Sequence, residues 1–77
     1  MKIENFIAKL QDLLEFDTVL TANTVFQKVD EWDSLSAMVL MGFVNDEFNV
    51  KLTPGHLEKL TTILSLISEI GRDKFDD

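Results

Sequence analysis

The sequence has no cysteine, a single proline, a single tryptophan and a single histidine. Without cysteine there is no disulfide framework, no thiolate metal site and no cysteine nucleophile. Neither a glycine-rich phosphate loop nor a zinc-ligand spacing occurs. No apolar run approaches the ~18 residues a membrane span needs. The opening Met1-Lys2-Ile3-Glu4-Asn5 lacks the basic-then-apolar layout of a signal peptide. The expected compartment is therefore the cytoplasm, with no membrane insertion. Basic residues are scarce: seven Lys and Arg face fourteen Asp and Glu, a formal net charge of −7. That balance disfavours nucleic acid and anionic membranes and favours basic protein surfaces. It also serves, more plainly, to keep a small protein soluble. A hydrophobic content of 45% is too high for a disordered acidic tail. The 77 residues are expected to form one domain, residues 1–77, burying only about 60% of the unfolded surface.

Against that background the apolar residues pattern as helices. Ile3, Phe6, Ile7, Leu10, Leu13 and Leu14 recur at spacings of three and four, with Lys2, Glu4, Asn5, Lys9, Gln11 and Asp12 opposite. An amphipathic helix over about 2–14 is expected. From 15 to 33 no period is sustained: Thr18, Thr21, Asn23 and Thr24 favour turns and caps, among the apolar anchors Val19, Leu20, Val25, Phe26 and Val29. A long ordered loop, with room for a short helical turn, is expected. Connections of this length are uncommon in compact domains and usually functional.

A second helix is expected from Ser34 to Phe48 or Asn49. Ala37, Leu40, Met41, Val44 and Phe48 make one face, while Leu35, Met38, Val39 and Gly42 lie to other sides. It is apolar over far more than one ~100° stripe, so it either closes over the loop or keeps Leu35, Met38 and Val39 partly exposed for a partner. No basic residue lies between Lys28 and Lys51, an interval holding Asp30, Glu31, Asp33, Asp46 and Glu47. Acids at the helix C-terminal end oppose the dipole, so helix stability does not account for Asp46 and Glu47. An apolar stripe bracketed by one sign of charge suits transient docking. Thr53-Pro54 opens a short third helix, about 54–60, as N-cap and first helical residue. Thr61 or Thr62 caps a last helix carrying Ile63, Leu64, Leu66, Ile67 and Ile70 and ending at Gly71. Arg72 to Asp77 is expected to be a frayed polar tail.

The junction of long loop and second helix reads Asp33-Ser34-Leu35. Asp33 is a good N-cap residue. The free amides and dipole of the first turn favour a nearby anion, and a phosphate ester on Ser34 Oγ would be well placed there. Capping alone also accounts for the pair. A nucleophilic serine needs a base and an oxyanion site. The one histidine, His56, is expected on the solvent side of the third helix. Asp30 to Met41 fails as a calcium loop, since Trp32 takes a ligand position and the central glycine is missing. No independent enzyme and no metal site is therefore expected, and any chemistry at Ser34 needs catalytic groups from another protein.

Taken together, Asp33-Ser34-Leu35 within Glu31-Trp32-Asp33-Ser34-Leu35-Ser36, the closing Asp46-Glu47-Phe48-Asn49-Val50 and Leu60-Thr61-Thr62-Ile63 resemble the acyl carrier proteins over nearly the whole chain. The resemblance implies an all-α four-helix bundle: three longer helices, a short third helix, and a long loop between helices 1 and 2. It implies that Ser34 carries covalent 4′-phosphopantetheine, placed there from coenzyme A by a phosphopantetheinyl transferase of the holo-acyl-carrier-synthase type, with that enzyme's magnesium and base. The arm would hold an acyl or aminoacyl group as a thioester. Asp33, Leu35, Met38, Val39, Asp46 and Glu47 would meet the basic docking patches of loading and acyl-transferring enzymes, the carrier itself being a monomer. Fatty-acid carriers usually bear more acids in the first half of the second helix, where this chain has Ser36, Ala37 and Val39. That departure points to a specialised pathway: polyketide, aminoacyl, or sugar and glycolipid modification. A D-alanyl-type carrier and an unmodified helical interaction module are the alternatives.

Overall fold

A computed structural model describes residues 1–76. Four α-helices follow in order: α1 Ile3–Leu14, α2 Ser34–Phe48, α3 Pro54–Glu58 and α4 Ile63–Ile70. Short 3-10 turns lie at Phe26–Lys28 and Arg72–Lys74. The expected all-α bundle with a short third helix is what forms.

The helix ends follow from local chemistry. Asp33 caps α2, Thr53 caps α3 with Pro54 behind it, and Thr62 caps α4. At the C-terminal end of α2 the chain turns out through Asn49 in the left-handed region, φ 56°, which asparagine tolerates better than most residues. Helix α3 stops at Glu58, two residues short of the expected end, and Leu60 is buried just beyond it.

The core takes one or more side chains from each long element: Phe6 and Leu10, Leu40 and Val44, then Ile63, Leu66 and Ile67, all at 0% exposure. Phe6 is its aromatic hub, with ring centroids 5.8 Å from Phe43, 5.7 Å from Phe48 and 5.3 Å from Phe75. Truncating such a ring to alanine typically costs about 3–5 kcal/mol, because the cavity adds to the lost transfer energy.

Phe75 corrects the expectation of a frayed tail. Residues 72–74 form a 3-10 turn, Phe75 is buried, and the Asp76 amide donates to the Met1 carbonyl at 3.0 Å. The Asp76 carboxylate lies 3.3 Å from the N-terminal ammonium. The aromatic ring anchors a segment whose polar neighbours hid it; Asp77 lies outside the described residues. His56 is a second correction. It is half-buried, and its Nδ1 accepts the Thr53 amide at 3.1 Å while its own amide donates to Thr53 Oγ1. The imidazole takes the place that Glu or Gln fills in the common capping box.

The long loop is ordered by reaching across the bundle. Phe26 N donates to Thr61 O at 2.9 Å and Ile63 N to Thr24 O at 3.2 Å, a one-bridge pairing beside the start of α4. Leu20, Phe26 and Val29 are buried beneath it, and Val25 is half-buried; Val19 corrects the expectation of an anchor, since it is 76% exposed. The loop thus leaves its last residues fixed at the start of α2.

Candidate functional site

The start of α2 is built from three residues. Asp33, extended at φ −146°, turns its Oδ1 back to accept from Ser36 N at 2.9 Å and from Ser36 Oγ at 3.0 Å. Ser36 Oγ also lies 3.3 Å from the Glu31 carbonyl. These bonds, the Ser36 amide foremost, hold the Asp33 carboxyl below the ordinary carboxylate range. Ser34 is the first residue of the helix, exposed, and its hydroxyl makes no hydrogen bond among the described residues. The two serines of this turn are therefore unequal: Ser36 is tied down and Ser34 is bare.

Beside Ser34 a cleft of about 320 Å³ opens between α2 and α3. Ala37, Met38, Met41 and Leu57 give it an apolar wall, and Glu58 stands at its edge. The start of α2 favours an anion, and the adjacent wall offers apolar contact.

The other residues singled out in the sequence distribute along α2. Leu35 and Met38 are 68% and 63% exposed, and Val39 is half-buried. Asp46 and Glu47 are exposed at the far end, but Glu47 Oε1 also lies 3.5 Å from Lys9 Nζ. Glu47 thus has an internal partner that its sequence position did not reveal. Among the described residues no cluster of three metal-ligating side chains occurs, and no helix is long and apolar enough to cross a membrane.

Three residues make contacts here that the sequence did not show. The Glu31 carboxylate accepts from Asp17 N and Thr18 Oγ1, each at 2.6 Å, and from Thr18 N at 3.2 Å. The Thr18 hydroxyl contributes most to holding its carboxyl below the usual range. Gln11, assigned to the solvated face of the first helix, instead donates to Phe16 O at 2.7 Å and Thr18 O at 2.9 Å and accepts from Leu20 N at 2.7 Å. Trp32 packs its ring 4.7 Å from that of Phe26. No periodicity reports such contacts, because each joins residues from different elements. A polar side chain flanking a turn-rich loop was the only available signal.

A family model described as the phosphopantetheine attachment site matches residues 6–70. The chain belongs to this family, whose members carry covalently attached 4′-phosphopantetheine. The match agrees with the all-α carrier fold seen here. Comparison with curated proteins gives no match. Comparison with solved structures gives none either.

Proposed function

We propose that Ser34 is the attachment point and that residues 1–77 act as one carrier domain. Its arm presents an acyl or aminoacyl group to partner enzymes in a specialised biosynthetic pathway. The observation that carries this reading is a bare, exposed hydroxyl on the first residue of α2, in a chain matched to the phosphopantetheine family. When bound, the group supplies a thiol, which the cysteine-free chain lacks, to hold cargo as a thioester. In the loading step a bond forms between Ser34 Oγ and the phosphorus of coenzyme A. The phosphoanhydride bond breaks, the adenosine bisphosphate leaves, and the serine proton passes to a base of the transferase. The chain's own contribution is placement. Asp33 and Ser36 fix the first turn, the positive end of α2 would favour the incoming phosphate, and Ala37, Met38, Met41 and Leu57 would flank the arm.

His56 Nδ1 is engaged in the cap of α3, where it accepts the Thr53 amide. Partner enzymes would dock on Leu35, Met38 and Val39, with Asp33, Asp46 and Glu47 meeting basic residues. Incubation with coenzyme A and a broad-specificity phosphopantetheinyl transferase tests the reading by intact mass. Wild type gains one phosphopantetheine and Ser34→Ala gains none. A wild-type chain left unchanged by several active transferases refutes attachment and leaves an unmodified interaction module. Loading by an aminoacyl-activating enzyme alone would identify the D-alanyl-type alternative.

A further inference from the structure

The most exposed of the large apolar side chains is on the loop, not on α2: Val19, at 76%. Both its neighbours are tied down. Thr18 is held through its amide and hydroxyl by Glu31 and through its carbonyl by Gln11, and the Leu20 amide donates to Gln11. Leu20 itself is buried. The loop is therefore pinned on each side of Val19, while the valine faces solvent. Apolar residues singly exposed on a surface need no explanation. One held out by such a set of bonds lacks the alternative conformations that would let it fold back.

Its position and surroundings point to an occupant. Glu31, which straps Thr18, lies three residues before Ser34, and its carbonyl is tied to Ser36 in the first turn of α2. Val19 thus belongs to the same end of the molecule as Ser34. The charge there has one sign. Asp17 and Glu31 adjoin the valine, and residues 10–27 contain no lysine or arginine. Between residues 10 and 50 one lysine stands against eight carboxylates. An apolar knob in such a field complements a shallow apolar socket ringed by arginine or lysine.

We infer that Val19, held out by Gln11 and Glu31, is a second apolar contact for the phosphopantetheinyl transferase, received by a socket with basic residues at its rim. The inference rests on the attachment reading for Ser34. Glu31 and Gln11 are positioning residues in it, and Val19 is the contact.

The test measures kcat and KM for the carrier with coenzyme A and a phosphopantetheinyl transferase in excess of side reactions. The chains compared are wild type, Val19→Ser, Val19→Leu and Glu31→Gln, each with its thermal midpoint. Val19→Ser is expected to raise KM about fivefold, as loss of a partly buried valine contact should, with kcat unchanged. Its midpoint stays at the wild-type value, since the site is exposed. Val19→Leu keeps the wild-type KM. Glu31→Gln moves the amide resonances of Asp17 and Thr18 and raises KM as Val19→Ser does. A wild-type KM for Val19→Ser overturns the inference while leaving attachment at Ser34 intact. A wild type that is not modified at all overturns attachment first.

Discussion

Ser34 and Ser36 stand two residues apart in one turn, and only their hydrogen bonds tell them apart. The sequence made Asp33 recognisable as an N-cap and so put Ser34 at a helix start, because capping is a local rule with a local signature. It could not say that Ser36 Oγ is shared between Asp33 and the Glu31 carbonyl. Nor could it reveal Glu31 itself, whose partners are 13 and 14 residues away. Glu31 gives a pH prediction. Its folded-state pKa is depressed by the Thr18 hydroxyl and by amides, so its contribution to stability is present above the ordinary carboxylate pKa. That contribution is lost as pH falls through the depressed value. The midpoint of Glu31→Gln should therefore lie below that of wild type at neutral pH, and the gap should shrink below about pH 4. Melting curves across that range check it; a gap that is constant or widens in acid contradicts the assignment.

Helix α2 is the element on which presentation depends. Its boundaries were legible from Asp33 and from the apolar run ending at Phe48. Its inward face was legible too: Leu40 and Val44 are fully buried, while Leu35 and Met38, placed to other sides, are mostly exposed. Whether those two would close over the loop or stay exposed was not legible, because the neighbours decide it. The first helix shows the same limit: Leu13, in its apolar stripe, is 44% exposed. Gly42 sits mid-helix, exposed, and a Cβ built there meets nothing within 4 Å. A methyl group at this position would therefore meet open space. Gly42→Ala should stabilise the chain by roughly 0.5–1 kcal/mol through reduced freedom of the unfolded backbone. For a domain of this size the thermal midpoint rises by about 4–8 °C per kcal/mol. A lower midpoint would mean that α2 needs the glycine for something other than its packing.

At the scale of the whole molecule the fold was readable as four helices and a long loop, since each helix carries its own period or cap. The closure was not: Phe75 reaches the Phe6 hub from a segment that reads as polar tail, and the loop pairs with the entrance of α4 through backbone atoms that no side-chain pattern reports. The charge, by contrast, needs no fold to be counted. Its concentration between residues 10 and 50 puts an acidic field around the helix that bears Ser34. Glu47 is shared with Lys9, so Asp46 is the cleaner probe of steering at the far end of α2. Asp46→Lys should slow association with a partner enzyme at low salt, with the difference closing near molar salt, where the screening length falls to about 3 Å. Stopped-flow association rates matching wild type at low salt would contradict that role.

The central claim is that one hydroxyl, the free one, receives the arm. Tandem mass spectrometry on peptides from the wild-type chain, after incubation with coenzyme A and transferase, locates the added group directly. The account predicts a single phosphopantetheine on Ser34 and none on Ser36; the group on Ser36, or on any residue other than Ser34, would contradict it.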